Sequence, residues 1–403
     1  MPNQCKKGSV VGGALMVAGS CIGAGMLGLP ILTGLVGFFP SILLFIIAWF
    51  FMTATGLLIV EVNQWFDEPP NFITMVSKLL GRTGKFTCWI LYLFLFYSLL
   101  VAYIAGSGIH TSSILNMINI NSPYWFGSVI FVIIFGFVVY LGTKQVDFLN
   151  RVLMIGKILT YLCLIIIGLY FVDTTFLNHV DLKYSFVALP ILITSFGFQN
   201  TIPTISRYLD GNIKRIKQAI IIGSLFTLII YIFWQVIALG ILPISGKYGI
   251  LQSYTDGMDA AQSIKNYVNS IWIGTFATIL AFFAMLTSFL IQTLTLVHFL
   301  GDGMNIQRQK RENAYLCLIA LAPPLIFAII DPTIFYSALS FAGGICAVTI
   351  FGIIPVLMVW RGRYYKNIRS NYCVKGGKPL LVILFSIALF IAFYQIKQTL
   401  NFF

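Results

Sequence analysis

GGALMVAGSCIGAGMLGLP, residues 12–30, is the stretch that decides how this chain folds. It is apolar enough to enter a bilayer, yet Gly19, Gly23, Gly25 and Gly28 follow one another closely and Pro30 comes after them. Each interior glycine weakens a helix by about 1 kcal/mol relative to alanine, and an interior proline by about 3 kcal/mol. Lipid offers no water to freed N–H and C=O groups, so such a break survives only where it is buried in protein or lines a cavity. A break across residues 20–25 sets the C-terminus of one half-helix against the N-terminus of another near the midplane. Carbonyls at the first suit a cation and amides at the second suit an anion. Together they match the two charged groups of an amino acid.

The surroundings fit an all-α integral membrane protein. Of 403 residues, 59% are hydrophobic and only 9% charged, too few for the surface of a soluble protein of this length. Uncharged apolar runs of about 20 residues mark membrane spans. Eleven are expected: 9–36, 39–62, 86–109, 124–141, 148–172, 183–205, 216–242, 272–300, 314–330, 334–360 and 379–398. The net charge of +13 does not point to nucleic acid, because the basic residues sit in short clusters between apolar runs. The bilayer is the expected partner; oligomeric state is open. Lys6 and Lys7 lead straight into the first span without a cleavable-signal pattern. The seven cysteines are scattered, Cys21, Cys163, Cys317 and Cys346 among them inside apolar runs, and read as reduced packing residues rather than metal ligands.

With the N-terminus cytoplasmic, 20 of the 25 lysines and arginines fall in inner loops and four outside, and Lys157 lies within a span. That excess predicts N-in, C-out. The sixth span, ALPILITSFGFQNTIPTI at 188–205, repeats the peculiarity of the first: Gly197 stands among Ser195, Gln199 and Asn200, with Pro203 after them. Five spans separate the two breaks, so the second copy enters from the opposite side. Paired interruptions in oppositely oriented halves point to an inverted-repeat secondary transporter. The division is residues 1–180 and 181–366 as two five-helix repeats, with 367–403 as an extra C-terminal helix.

GSCIGAGMLGLP at 19–30, TSFGFQNTIPTISRYLDGNIKRIKQAIIIGS at 194–224, YIFWQVIALG at 231–240 and YCVKGGKPLL at 372–381 carry a family likeness. Over essentially its whole length the chain resembles the hydroxy/aromatic amino acid permeases of the amino acid/polyamine/organocation superfamily, above all their bacterial tyrosine-specific branch. The resemblance implies a five-plus-five fold of the leucine-transporter type and proton-coupled amino acid uptake across a bacterial inner membrane. It also implies that the unwound first span, around Ser20, Ile22, Gly23, Ala24 and Gly25, offers amides to the substrate carboxylate and carbonyls to its ammonium. The physics of the break asks for the same thing, since small residues let backbone reach a ligand.

From the sixth span, Ser195 and Phe196 are expected to add carbonyls. Phe198 is a candidate to gate the site or stack on a ring, and Gln199 to bind a side-chain hydroxyl. The alternative for Gln199 and Asn200 is that they satisfy backbone freed by the break. Tyr97 and Tyr103, with Trp234 and Gln235, are candidates for a pocket wall, although membrane helices bury aromatics anyway. Lys157, in MIGKILTYLCLIIIGLY, costs roughly 2.5–3.5 kcal/mol if uncompensated within a span. Either it snorkels to the surface or its amine meets the cavity side of the first span. There desolvation disfavours the charged form and makes it a proton-coupling candidate. Thr287 and Ser288, in FFAMLTSFLIQTL, occupy the place where sodium-coupled relatives supply hydroxyls, so sodium coupling stays open, as does simple helix packing. Glu61 is read as a gate residue paired with a cation such as Arg207, or as an interfacial charge. His110, His179 and His298 are read as interfacial, and Asp256 and Asp259 as part of an amphipathic outer lid.

The leading expectation is a proton-driven symporter for an aromatic amino acid, tyrosine preferred, with no cofactor besides its coupling ion. A sodium-coupled or broader neutral amino acid transporter is the alternative. A passive facilitator is disfavoured by the absence of a selectivity-filter pattern. An enzyme is disfavoured by the absence of HExxH, GxSxG and paired intramembrane carboxylates. A sensor on the same fold differs only in lacking flux.

Overall fold

The computed structural model describes residues 8–66, 70–117, 119, 121–268, 270–304, 306, 310–368, 370 and 372–400. Lys6, Lys7, Arg308 and Arg369 of the charge count lie outside them, as do the side chains of Lys310 and Arg311. The described residues form helices and connecting turns, with no strand. In order these are α1 Val10–Cys21, α2 Gly25–Gly34, α3 Phe38–Asn63, α4 Phe72–Met117, α5 Tyr124–Leu141, α6 Thr143–Gly168, α7 Leu189–Ser195 and α8 Ile202–Tyr208. There follow α9 Ile213–Ile241, α10 Ile250–Thr255, α11 Ala260–Tyr267, α12 Ile271–Gly303, α13 Lys310–Ile330, α14 Phe335–Phe341, α15 Ile354–Trp360 and α16 Gly377–Leu400. A π-helical stretch, Ala342–Ile353, joins α14 to α15, so that Phe335–Tyr365 reads as one long span.

Nine helices among the described residues are long and apolar enough to cross a membrane, and α1 with α2 makes a tenth bent by 60°. The sixth expected span is present as two seven-residue helices, α7 and α8, with a 3₁₀ turn at Gln199–Thr201 between them. Broken spans lose length by being broken, which is why neither piece meets the dimensions of a crossing. Gly81, at φ 83°, separates the first turns of α4 from its long span. Outward faces carry large apolar side chains such as Phe148, Ile166 and Trp272, as lipid contact requires.

Two expectations are corrected by burial. Glu61 is 1% exposed and meets Arg363, not Arg207: Arg363 Nε and Nη2 donate to its two oxygens at 2.6 and 2.5 Å, and Val374 N–H adds a third bond at 2.7 Å. A carboxylate this deep stands only with a paired cation, and the bidentate fork supplies one. His110 is likewise not interfacial. It is buried, with Nε2 2.7 Å from Asp259 Oδ2. Asp259 also caps α11, accepting from Ala261 and Gln262 N–H. Tyr336 OH donates to Met258 O at 2.7 Å, so α10 and α11 form a lid tied down on α4 and on α14.

Candidate functional site

At the end of α1 the helical ladder stops. Ile22 N–H still reaches Ala18 O at 2.8 Å, but Gly23 N–H turns back to Cys21 O, and α2 starts at Gly25 in a new direction. A helix end leaves carbonyls without intrahelical donors, and a helix start leaves amides without acceptors. Distant side chains answer both. Lys157 Nζ, on α6, donates to Ile22 O at 2.7 Å and lies 3.4 Å from Thr287 Oγ1 on α12. Ser288 Oγ accepts from Ala24 N–H at 3.0 Å. Met26 and Leu27 N–H take Gly23 and Ala24 carbonyls in a tight turn. Gly25 N–H has none of these partners.

Lys157 does not snorkel. It is 3% exposed, and among the described residues no carboxylate pairs with it. Its ammonium rests on a helix C-terminus, where the partial negative charge of the peptide dipoles favours a cation. Room at the break is scarce: a Cβ on Gly23 would stand 2.5 Å from Ser288 Oγ, and one on Gly25 would stand 2.8 Å from Ser195 Oγ.

The second break is organised differently. Gly197 N–H bonds Thr194 O, Phe198 N–H bonds Phe196 O, and Thr201 N–H and Oγ1 both reach Phe198 O. Phe196 and Phe198 are fully buried. Phe196 packs edge-on against Tyr231, ring centres 5.2 Å apart, and Phe198 fills the space beside Gly56.

A single cavity of about 1370 Å³ joins the first break to the end of the molecule that carries Arg82, Lys85 and Arg207. Ser20, Ile22, Gly23, Ala24, Gly25, Ser195, Lys157, Thr287 and Ser288 all line it. Ser195 Oγ is buried without a hydrogen-bond partner there. No residue of α10 or α11 lines the cavity, so the lidded end is closed.

Six residues expected at the site stand elsewhere. Phe196 and Phe198 lie behind the break, and the Phe196 carbonyl is already taken. Gln199 points into α3, with Nε2 donating to Met52 O at 3.0 Å. Its neighbour Asn200 is the amide that faces the cavity, because successive residues of a 3₁₀ turn point a third of a circle apart. Tyr97 OH donates to Ile319 O on α13 at 2.9 Å. The α4 wall is instead the helical stripe Tyr92, Phe96, Leu99 and Tyr103, three or four residues apart, from which position 97 falls away. Trp234 and Gln235 are buried, the first donating to Met26 O at 2.9 Å and the second to Thr33 Oγ1 at 2.7 Å.

Tyr231 opens the motif YIFWQVIALG. Its hydroxyl lies 2.6 Å from Cys21 O and 2.8 Å from Ser195 O, bridging the carbonyl ends of α1 and α7. One proton serves two acceptors. Two oxygens that one hydroxyl reaches are also within reach of one ammonium nitrogen, whose hydrogen bonds have similar lengths. Only the register of α9 against both breaks reveals this; an aromatic among many gives no signal in sequence.

Comparisons with known proteins agree with this architecture. Residues 6–395 match the tryptophan/tyrosine permease family. A protein of Haemophilus influenzae named tyrosine-specific transport system 2 is 34% identical over 94% of this chain and 93% of its own length. The tryptophan-specific transport protein of the same organism is 32% identical over 99% and 98%. Among solved structures, the crystal structure of MhsT in complex with L-phenylalanine superposes with a TM-score of 0.67 at 15% identity, covering 96% of this chain and 98% of that one. The fold is therefore shared with that protein.

Proposed function

This chain belongs to the tryptophan/tyrosine permease family, a family of multi-pass membrane transport proteins and not of enzymes, and from that premise we propose that it is a proton-coupled aromatic amino acid symporter, tyrosine preferred, working by alternating access. The observation that carries the coupling is Lys157, whose ammonium sits on Ile22 O beside Thr287 and Ser288. A fixed cation at that point supplies the positive charge that a sodium ion would otherwise bring, and it can release and regain a proton as the surroundings change. The substrate carboxylate takes Gly25 N–H, and its ammonium takes the carbonyls that Tyr231 holds together. The ring lies toward Tyr103 and the α4 stripe. Tyrosine as the preferred substrate is supported by the relative named tyrosine-specific, although a tryptophan-specific relative is nearly as similar.

The mechanism follows the two ends of the cavity. In this conformation the basic end is open and the lid end is shut, which corresponds to release into the cytoplasm if the N-terminus is inside and the C-terminus outside. Eleven crossings in a bacterial inner membrane, counting the broken sixth, give that topology, with residues 1–180 and 181–366 as opposed five-helix repeats and 367–403 appended.

The test is uptake of labelled tyrosine, tryptophan and phenylalanine into proteoliposomes, with pH and sodium gradients imposed separately. Tyrosine accumulating on a pH gradient alone is the expected result. Accumulation on sodium alone would overturn the coupling. Lys157→Ala is expected to abolish accumulation on the pH gradient while leaving tyrosine exchange measurable; a variant that still concentrates substrate would remove Lys157 from the coupling role.

A further inference from the structure

At the basic end of α9, Ile213, Lys214, Lys217, Gln218, Ile221 and Tyr372 line a second, open hollow of about 400 Å³. None of these residues lines the central cavity. Lys217 Nζ stands 4.9 Å from the centre of the Tyr372 ring, so the phenol steadies the cation as the pocket's wall. Neither Lys214 nor Lys217 meets a carboxylate among the described residues. Burial, with the Glu61 carboxylate adding to it, pushes the Tyr372 phenol up to about 12, so its hydroxyl remains a neutral hydrogen-bond donor. The pocket thus presents two unneutralised ammonium groups, a phenol and an amide around a space of headgroup size.

What stands above it on the same helix face is apolar. Positions 214, 218, 221, 225 and 229 follow one another at three- and four-residue steps, and 217 lies three after 214 and four before 221, so all six share a side of α9. Ile221, Leu225 and Ile229 are 39%, 41% and 44% exposed. With 29 residues, α9 is about 43 Å long, against a hydrocarbon core of about 30 Å. Its first turns therefore lie at headgroup depth and the exposed apolar stripe at acyl-chain depth. We propose that this pocket binds an anionic phospholipid, its phosphate between Lys214 and Lys217 and its acyl chains along Ile221, Leu225 and Ile229.

A free phosphate would use the lysines alone; the continuous apolar track above them selects a lipid. A zwitterionic lipid would bring a cation to two lysines that need an anion. The occupant also bears on the chain beyond the pocket. Tyr372 lies two residues before Val374, whose N–H and C=O are both held in the Glu61–Arg363 pair. The lipid therefore braces the segment that leads into α16 against the start of α9.

The experiment is native mass spectrometry of the full-length protein released from nanodiscs of mixed phosphatidylglycerol and phosphatidylcholine. Wild type is expected to retain one phosphatidylglycerol in preference to phosphatidylcholine. Lys214→Gln with Lys217→Gln is expected to weaken that retention about 30-fold, at the strength of two lysines facing an anionic surface. Leu225→Ser with Ile229→Ser should also weaken it, with both lysines in place, and millimolar inorganic phosphate should fail to displace the lipid. Equal retention by wild type and the lysine variant, or no preference between the two lipids, overturns the site. Displacement by phosphate, or full retention by the serine variant, overturns the lipid as its occupant. An unchanged thermal unfolding midpoint of the lysine variant in phosphatidylcholine alone shows that the fold is intact, and the readout does not depend on transport.

Discussion

The two interruptions look alike in sequence and are built differently. At the first, four distant side chains complete the backbone: Lys157, Ser288, Tyr231 and Trp234 supply partners to Ile22, Ala24, Cys21 and Met26. At the second, the chain closes on itself through Gly197, Phe198 and Thr201, and two phenylalanine rings fill the space behind. The difference lies in side-chain size. Glycine and alanine around residue 24 cannot cover their own peptide groups, so those groups stay available to lysine, serine or a ligand. Phe196 and Phe198 cover theirs. The first interruption leaves its peptide groups to distant side chains, the second closes largely on its own turns, and Tyr231 donates to a carbonyl of each.

Filling the first interruption is the strongest way to break this contrast. In Gly25→Leu the new side chain enters space that Ser195 Oγ already bounds. Tyrosine uptake by proteoliposomes is expected to fall on the order of 100-fold or more, as a misplaced group at a reacting or binding centre commonly costs, with membrane insertion unchanged on a fluorescence-detected gel-filtration trace. Normal uptake would place the substrate elsewhere.

Removing the link between the interruptions is gentler. Tyr231→Phe deletes one hydroxyl shared by two carbonyls and keeps the ring against Phe196. The apparent KM for tyrosine should rise about tenfold, the scale of one to two neutral hydrogen bonds, with maximal rate nearly kept. The discriminating readout is competition by the des-amino analogue 3-(4-hydroxyphenyl)propionate. Its disadvantage relative to tyrosine should shrink in the variant, because the lost positioning concerns the ammonium. An unchanged ratio would make Tyr231 a packing residue.

The smallest effect is expected at the second interruption. Gln199→Leu removes a bond to Met52 O, which lies within the helical ladder of α3. Stability should drop by about 1 kcal/mol in a thermal-shift measurement, with KM for tyrosine within about twofold of wild type. A large KM change would return Gln199 to the substrate pocket.

Much of this architecture was legible without coordinates. Apolar run lengths located the long spans, and clustered glycine with proline located both interruptions, because helix propensity and the demand of backbone for partners in lipid are local properties of the chain. Lys157 was legible for the same reason: a lone cation in an apolar run must be answered by something. What lay beyond sequence was direction. Position 199 or 200, 97 or 103, and Glu61 with Arg207 or with Arg363 are choices made by rotation of one helix against another, and a few tens of degrees reverse them. The Tyr231 bridge and the His110–Asp259 tie of the lid join residues 36, 210 and 149 positions apart. The order of residues along the chain decided that it would be helical, membrane-embedded and twice interrupted; only packing decided which side chains meet the bared peptide groups, since hydrogen bonds depend on distances that no local rule of the chain contains.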